Sequence, residues 1–263
     1  MARAVITTDF ASPAETAQAL DVSRASREKL VRMAELAIHE PAATEARPRA
    51  MAHRPSPEGR ASVVRQKSVF LNLPYGARFR TLFLAYVAGT SAFGLIPRAT
   101  LEIPESAPRL DRIVTRVESC RYSIHDMSRV QLDRRTPPTP PFNMPFELGL
   151  AVGYHTRRAN NEHTWFVFET KPWRLQKSVS DLNGTDVYTH GATPAGVFRE
   201  LLSAFLRHHH QPAVRQMTVI FEALSKNLRP ILRETGGASP FETSVFRRLS
   251  VYASALADEL VKR

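Results

Sequence analysis

From Lys67 onward this chain of 263 residues alternates two kinds of apolar pattern, and that alternation restricts the available folds more than any other feature. Val69-Phe-Leu-Asn-Leu73 is a short apolar run suited to a buried strand. Phe79, Leu82, Phe83, Tyr86 and Val87 then recur at the i, i+3, i+4, i+7 and i+8 spacing of a helix face. Residues 95–101 supply a second strand, Leu110, Ile113, Val114 and Val117 a second helix face, and residues 122–126 a third strand. After a proline-rich loop at 136–141, residues 144–154 read as a helix and 164–168 as the clearest strand of all. An edge strand near 186–188 and a helix over 197–206 complete the series. Strands alternating with helices predict an α/β fold with a parallel sheet covered on both faces, here spanning residues 67–210.

The flanks read differently. Ser12-Pro13-Ala14-Glu15 is a capping box with proline at the first helical position, and Leu30, Val31, Ala34 and Ile38 continue at helical spacing, so residues 1–40 form a small helical segment. Within it, residues 15–23 resemble the first helix and turn of a helix-turn-helix module, with Asp21 in place of the turn glycine. That resemblance implies a DNA contact; a helical pair that merely docks is the alternative. Residues 41–66 hold Pro41, Pro48, Pro55 and Pro57 among alanines and arginines without an apolar period, and read as a linker. Residues 211–263 form a helical hairpin. Val214, Met217, Phe221, Leu224, Leu228 and Ile231 line one helix and Val245, Leu249, Tyr252, Leu256 and Leu260 the other, a stripe that packs on its own domain or on a second copy in a homo-oligomer.

Composition narrows the setting. A formal net charge of +11 and a pI near 10.4 attract polyanions, whether nucleic acid, an anionic surface or a phosphorylated ligand. The apolar run 82–96 is shorter than the ~20 residues of a membrane helix, and Met1 to Phe10 lacks the apolar core of a secretion signal, so a cytoplasmic chain without membrane association is expected. Cys120 is the sole cysteine, which excludes an intrachain disulfide and a multi-cysteine zinc site and reads as a buried thiol. His208-His209-His210 is placed at a helix end, where consecutive side chains diverge by about 100° and cannot share one ion, so no metal is expected.

In an open parallel sheet, ligands bind beyond the carboxyl ends of the strands. Asn72, Pro74 and Tyr75 follow the first strand; His125, Asp126 and Ser128 follow the third; Phe142, Asn143 and Glu147 open the helix after the proline loop. Alternation along the third strand turns His125 away from Asp126, toward the core. Asn143 is the expected N-cap, and Glu147 is expected in the first turn, where the helix dipole favours its ionised form. An ionised carboxylate at that mouth suits cleavage of a glycosidic bond, although a first-turn glutamate also stabilises any helix.

Val69-Phe-Leu-Asn-Leu-Pro-Tyr75, Cys120-Arg-Tyr-Ser-Ile-His-Asp126-Met-Ser128 and Phe142-Asn-Met-Pro-Phe-Glu147-Leu-Gly-Leu150 together resemble the arrangement shared by nucleoside 2-deoxyribosyltransferases and Toll-receptor-like (TIR) domains that cleave NAD. The resemblance spans about residues 67–170. It implies a flavodoxin-like, TIR-like sheet and an N-glycosidase. Glu147 would be nucleophile or oxocarbenium stabiliser, Asp126 would orient sugar or base, and Asn143 and Phe142 would contact ribose or stack on the base. Asn72, Pro74, Tyr75 and Ser128 would line the substrate site. NAD would be the substrate, with no cofactor, and a bacterial antiphage-defence effector the biological setting. Pro141-Phe142-Asn143-Met144-Pro145 departs from the acidic and small residues of the transferases, and Phe146 stands where many TIR enzymes carry tryptophan. The absence of Gly-x-Gly-x-x-Gly and of a Walker lysine disfavours dehydrogenases and P-loop NTPases. A non-catalytic nucleotide-sensing or DNA-associated regulator, and a TIR-like scaffold acting through protein contacts, remain as alternatives.

Overall fold

The computed structural model describes residues 57–103, 108–129, 132, 136–157 and 163–262. Strands β1 (Ser68–Asn72), β2 (Ile96–Arg98), β3 (Tyr122–Asp126), β4 (Thr164–Glu169) and β5 (Val187–Thr189) form one all-parallel sheet in the order β2-β1-β3-β4-β5. The helices are α1 (Pro57–Lys67), α2 (Arg80–Ala92), α3 (Arg109–Ser119), α4 (Asn143–Arg157), α5 (Arg174–Ser178), α6 (Pro194–Ala204), α7 (Val214–Thr235) and α8 (Thr243–Val261). All described residues fall within one compact unit, and no described helix is long and apolar enough to cross a membrane. The helical segment expected at 1–40, with its DNA contact, lies outside the described residues.

The parallel α/β series expected from the sequence is present, with three local differences. β2 is shorter than residues 95–101, because the Glu102 carboxylate takes the Ala99 N–H at 3.1 Å and turns the chain into a 3-10 turn over Thr100–Glu102. Part of the expected linker is helix α1, which has no apolar stripe for sequence periodicity to detect. It begins with Pro57, whose missing N–H costs nothing at that position, and is tied to the domain by Arg65, whose Nε donates to the Glu118 carbonyl at 2.9 Å. Helix α6 stops at Ala204, so His208, His209 and His210 follow the helix instead of ending it. The His208 ring packs edge-on against Phe93, Tyr122 and Phe205, and burial lowers its pKa.

Helix α2 organises the core. Every residue from Leu82 to Ala92 is buried, between the sheet, α6 and the C-terminal hairpin. Gly89 permits the approach of α6, since a Cβ there would overlap the Leu201 side chain. The hairpin stripe closes this layer: Met217, Leu224, Leu228, Ile231, Val245, Leu249 and Leu256 are buried in the same cluster as Phe83 and Val87. Most of the stripe is thus spent within the chain, while Phe221, Tyr252 and Leu260 are half-buried and Val214 is exposed. On the opposite face, α3 and α4 cover Phe70 with Ile113, Val117 and Ala151. Cys120 lies in this layer, and burial pushes its thiol up to about 11, well removed from thiolate chemistry.

A buried polar chain runs along this second face. The Cys120 carbonyl can only accept, so His163 carries its proton on Nδ1 and donates it there at 2.9 Å. His163 Nε2 therefore accepts from Ser123 Oγ at 2.9 Å, and Ser123 Oγ accepts from His125 Nε2 at 2.9 Å. His125 Nδ1 in turn accepts from Asn72 Nδ2 at 3.0 Å. Both rings are neutral: burial lowers His125 to about 3 and His163 to about 4. Unfolding frees these imidazoles to take protons near their ordinary value of about 6.5. Stability contributed by the pair is thus complete above that value and is lost as pH falls toward 4. Around pH 5 the unfolded chain binds close to two extra protons at these sites, each giving a slope of about 1.4 kcal/mol per pH unit. Denaturant midpoints measured from pH 7 to pH 4.5 are expected to fall, and His125→Asn is expected to reduce the slope by about one proton whatever its effect at pH 7.

Candidate functional site

The order β2-β1-β3-β4-β5 places a topological switch point between β1 and β3, where the loops leaving these strands diverge. The loop after β1 (residues 73–76) and the loop beginning at Met127 are joined there by Arg129, whose guanidinium donates to the Tyr75 carbonyl at 3.1 Å. Pro74 is buried and stiffens the turn. The Tyr75 hydroxyl lies 3.4 Å from Thr100 Oγ1, and its ring lies 5.5 Å from that of Phe241. Burial raises the Tyr75 pKa, and the charges of Glu147 and Glu102 add to the rise, so the phenol keeps its proton.

Glu147 is displaced from its expected position. Asn143 is itself the first residue of α4, Phe142 supplies the carbonyl that accepts the Phe146 N–H at 3.1 Å, and the first turn holds no acidic residue. Glu147 therefore begins the second turn, past the free N–H groups whose dipole was expected to hold its charge. That charge is met instead by Arg109 of α3, whose guanidinium donates to Glu147 Oε1 at 2.9 Å. The pair is lopsided: the Glu147 side chain is 3% exposed and the Arg109 side chain 58%. Asn143 lies one turn earlier on the same helix face and is exposed.

Asp126 belongs to another network on the opposite face of the sheet, where β3 alternation turns it toward α2. The Tyr86 hydroxyl donates to Asp126 Oδ2 at 2.7 Å and the Ser128 N–H donates to Oδ1 at 2.8 Å. His190, on the turn after β5, brings Nε2 to 3.2 Å from Oδ2 and to 3.1 Å from Ser128 Oγ. With 0% of its side chain exposed, Asp126 holds the loop after β3 and presents no free oxygen to a ligand. Tyr86 is pushed well above its ordinary pKa, by burial first and the Asp126 charge second, and remains a donor. The turn carrying His190 is tightly built, since a Cβ on Gly196 would overlap the His190 carbonyl.

Beside this network the buried Glu169, at the end of β4, forms an ion pair with Arg174. Arg174 also donates to the Ser128 carbonyl at 2.7 Å, so one guanidinium ties the β3 and β4 loops together. The preceding residue, Trp173, has φ 64° and ψ 1°, a left-handed conformation unusual for a bulky side chain, and is 74% exposed. Leu175 packs with Met144 and Leu148, placing this loop beside the start of α4. Phe142 and Phe146 are also exposed, one helical turn apart at the start of α4.

Of the residues singled out from the sequence, Asn143 and Glu147 gather on the α3/α4 side of the switch point, with Asn72 at the head of the buried polar chain on that face, whereas Tyr75 packs beside Phe241 against the α2 cluster. Asp126 and Ser128 gather on the α2 side, and no hydrogen bond joins the two carboxylates. Arg109, Tyr86, Glu169, Arg174, His190 and Trp173 were not anticipated. Glu169 and His190 lie at the carboxyl ends of β4 and β5, so the strand-end rule applied to every strand would have reached them. Among the described residues, no group of three or more His, Cys, Asp or Glu side chains is placed to hold a metal ion. No family model, curated protein or solved structure matches the chain.

The left-handed backbone at Trp173 costs about 1 kcal/mol, and its exposed ring has little packing to offset that. Trp173→Asn, a residue that tolerates this conformation, is therefore expected to raise the unfolding free energy by roughly 0.5–1 kcal/mol. A lower denaturant midpoint for the variant would show that the indole contributes packing that its exposure does not reveal.

Proposed function

We propose that this chain is a nucleotide N-glycosidase of TIR-like type that hydrolyses the bond between nicotinamide and ribose in NAD, with Glu147 facing the anomeric carbon. The observation that carries the reading is the Glu147–Arg109 pair at the switch-point edge: a buried carboxylate covered by a largely exposed guanidinium. Arginine pairs with phosphate as readily as with carboxylate. An arriving dinucleotide offers Arg109 a phosphate partner, and transfer of the guanidinium uncovers the carboxylate beside the sugar. The C1′–N bond then breaks with its electron pair going to nitrogen, Glu147 stabilises the oxocarbenium carbon, and water adds to C1′ and releases a proton.

The choice of NAD over a deoxynucleoside follows from the leaving group. Nicotinamide leaves a cationic pyridinium as a neutral molecule and needs no proton, whereas a neutral purine leaves well only when protonated. Tyr75, whose phenol feels the charge of Glu147, has its pKa raised, by burial first, and is a poor acid. The bacterial defence setting belongs to the same proposal. A nucleotide-binding regulator without turnover is the second reading, favoured by the near-complete burial of Glu147, which leaves its carboxylate covered until Arg109 moves.

Glu147→Gln is expected to lower nicotinamide release from NAD by on the order of a hundredfold or more while leaving the thermal unfolding midpoint within a few degrees. Release unchanged in the variant would remove Glu147 from the chemistry. No release by the wild type at any protein concentration, with NAD still bound, would leave the regulator.

A further inference from the structure

The Asp126 network has one group left to offer a ligand. His190 Nδ1 accepts the Ala192 N–H at 3.2 Å, so the ring proton resides on Nε2. That nitrogen lies 3.1 Å from Ser128 Oγ, which is therefore the acceptor in this contact. The other polar atoms of Ser128 are also committed, its N–H to Asp126 Oδ1 at 2.8 Å and its carbonyl to Arg174 at 2.7 Å. Only the hydroxyl proton of Ser128 is unspent, and Ser128, unlike Asp126 and His190, is partly exposed. The same geometry excludes a serine nucleophile of the Ser-His-Asp kind. There the histidine nitrogen facing serine must accept, and aspartate must face the other nitrogen; here both neighbours face Nε2, and Nδ1 is taken by a backbone N–H.

We infer that Ser128 is the ligand-contacting member of this network, donating its hydroxyl proton to an acceptor oxygen of the bound nucleotide, and that His190 is the positioning residue that fixes that polarity. The inference deepens the NAD reading and rests on it for the identity of the ligand. The oxygen belongs either to the ribose or to a phosphate, two sources of the same acceptor chemistry. Tyr86 and Asp126 act further back: the tyrosine holds the carboxylate, the carboxylate holds the Ser128 N–H and lies 3.2 Å from the imidazole, and the imidazole orients the hydroxyl.

The experiment measures binding of NAD and of nicotinamide riboside to the full chain carrying Glu147→Gln, alone and with Ser128→Ala, His190→Leu or both. The 15N shifts of the His190 ring are recorded in the wild type. Ser128→Ala is expected to weaken NAD binding roughly tenfold, the effect of one lost hydrogen bond. His190→Leu should weaken it similarly, with little further loss in the double variant because both remove the same contact. His190→Gln, which keeps a donor near the Nε2 position, should restore most of the affinity. Equal losses for both ligands place the oxygen on the nicotinamide ribose, and a loss for NAD alone places it on the diphosphate or the adenosine ribose. A His190 proton found on Nδ1, or full NAD affinity in Ser128→Ala, overturns the inference even if Glu147-dependent cleavage is observed. Coupled losses in binding without any cleavage by the wild type uphold it while removing the glycosidase reading. Failure of NAD to bind overturns both.

Discussion

From Leu82 to Ala92 helix α2 has no solvent-facing side, and much of the molecule follows from that. An apolar cylinder must be covered all round. The sheet supplies the floor, α6 one wall, and α7 with α8 the roof, so the C-terminal hairpin completes the core of the α/β domain. Burial imposes a second requirement. The Tyr86 hydroxyl lies in the middle of this helix with no water to bond, and an unmet buried hydroxyl costs a few kcal/mol. Asp126 answers it at 2.7 Å, so the demand for a covered helix reaches into the orientation of a carboxylate at the end of β3 and into the loop beyond.

The two carboxylates singled out from the sequence thus serve different ends. Asp126 is bonded at both oxygens and closed to solvent, whereas Glu147 is bonded by a side chain that itself reaches into solvent. A buried charge is tolerated when its partners are fixed, and it becomes available when one partner can be exchanged. Fixed partners make Asp126 part of the scaffold. A partner that reaches into solvent leaves the Glu147 charge less firmly held.

Much of the fold was legible because its signals are local. Val69 to Leu73, Tyr122 to Asp126 and Thr164 to Phe168 are apolar runs of strand length, and the helix faces between them repeat at helical spacing, so element order and the parallel sheet followed directly. What was not legible depends on partners distant in sequence. Arg109 meets Glu147 across 38 residues, Tyr86 meets Asp126 across 40, and Ser128 meets His190 across 62, and no spacing rule connects them. Helix α1 escaped notice for the opposite reason, since a helix without an apolar stripe leaves no periodic trace. The misplacement of Glu147 came from taking Asn143 as a cap when the structure makes it the first helical residue.

The chain of hydrogen bonds from Asn72 to the Cys120 carbonyl has a handedness of its own. A backbone carbonyl cannot change from acceptor to donor, so the sense of every link above it is dictated from that end, through His163, Ser123 and His125. The Asn72 amide at the head of the chain is consequently unable to flip: its nitrogen is claimed by His125 and its oxygen must look elsewhere. The orientation of a side chain at the carboxyl end of β1 is thereby decided at Cys120, before β3 begins.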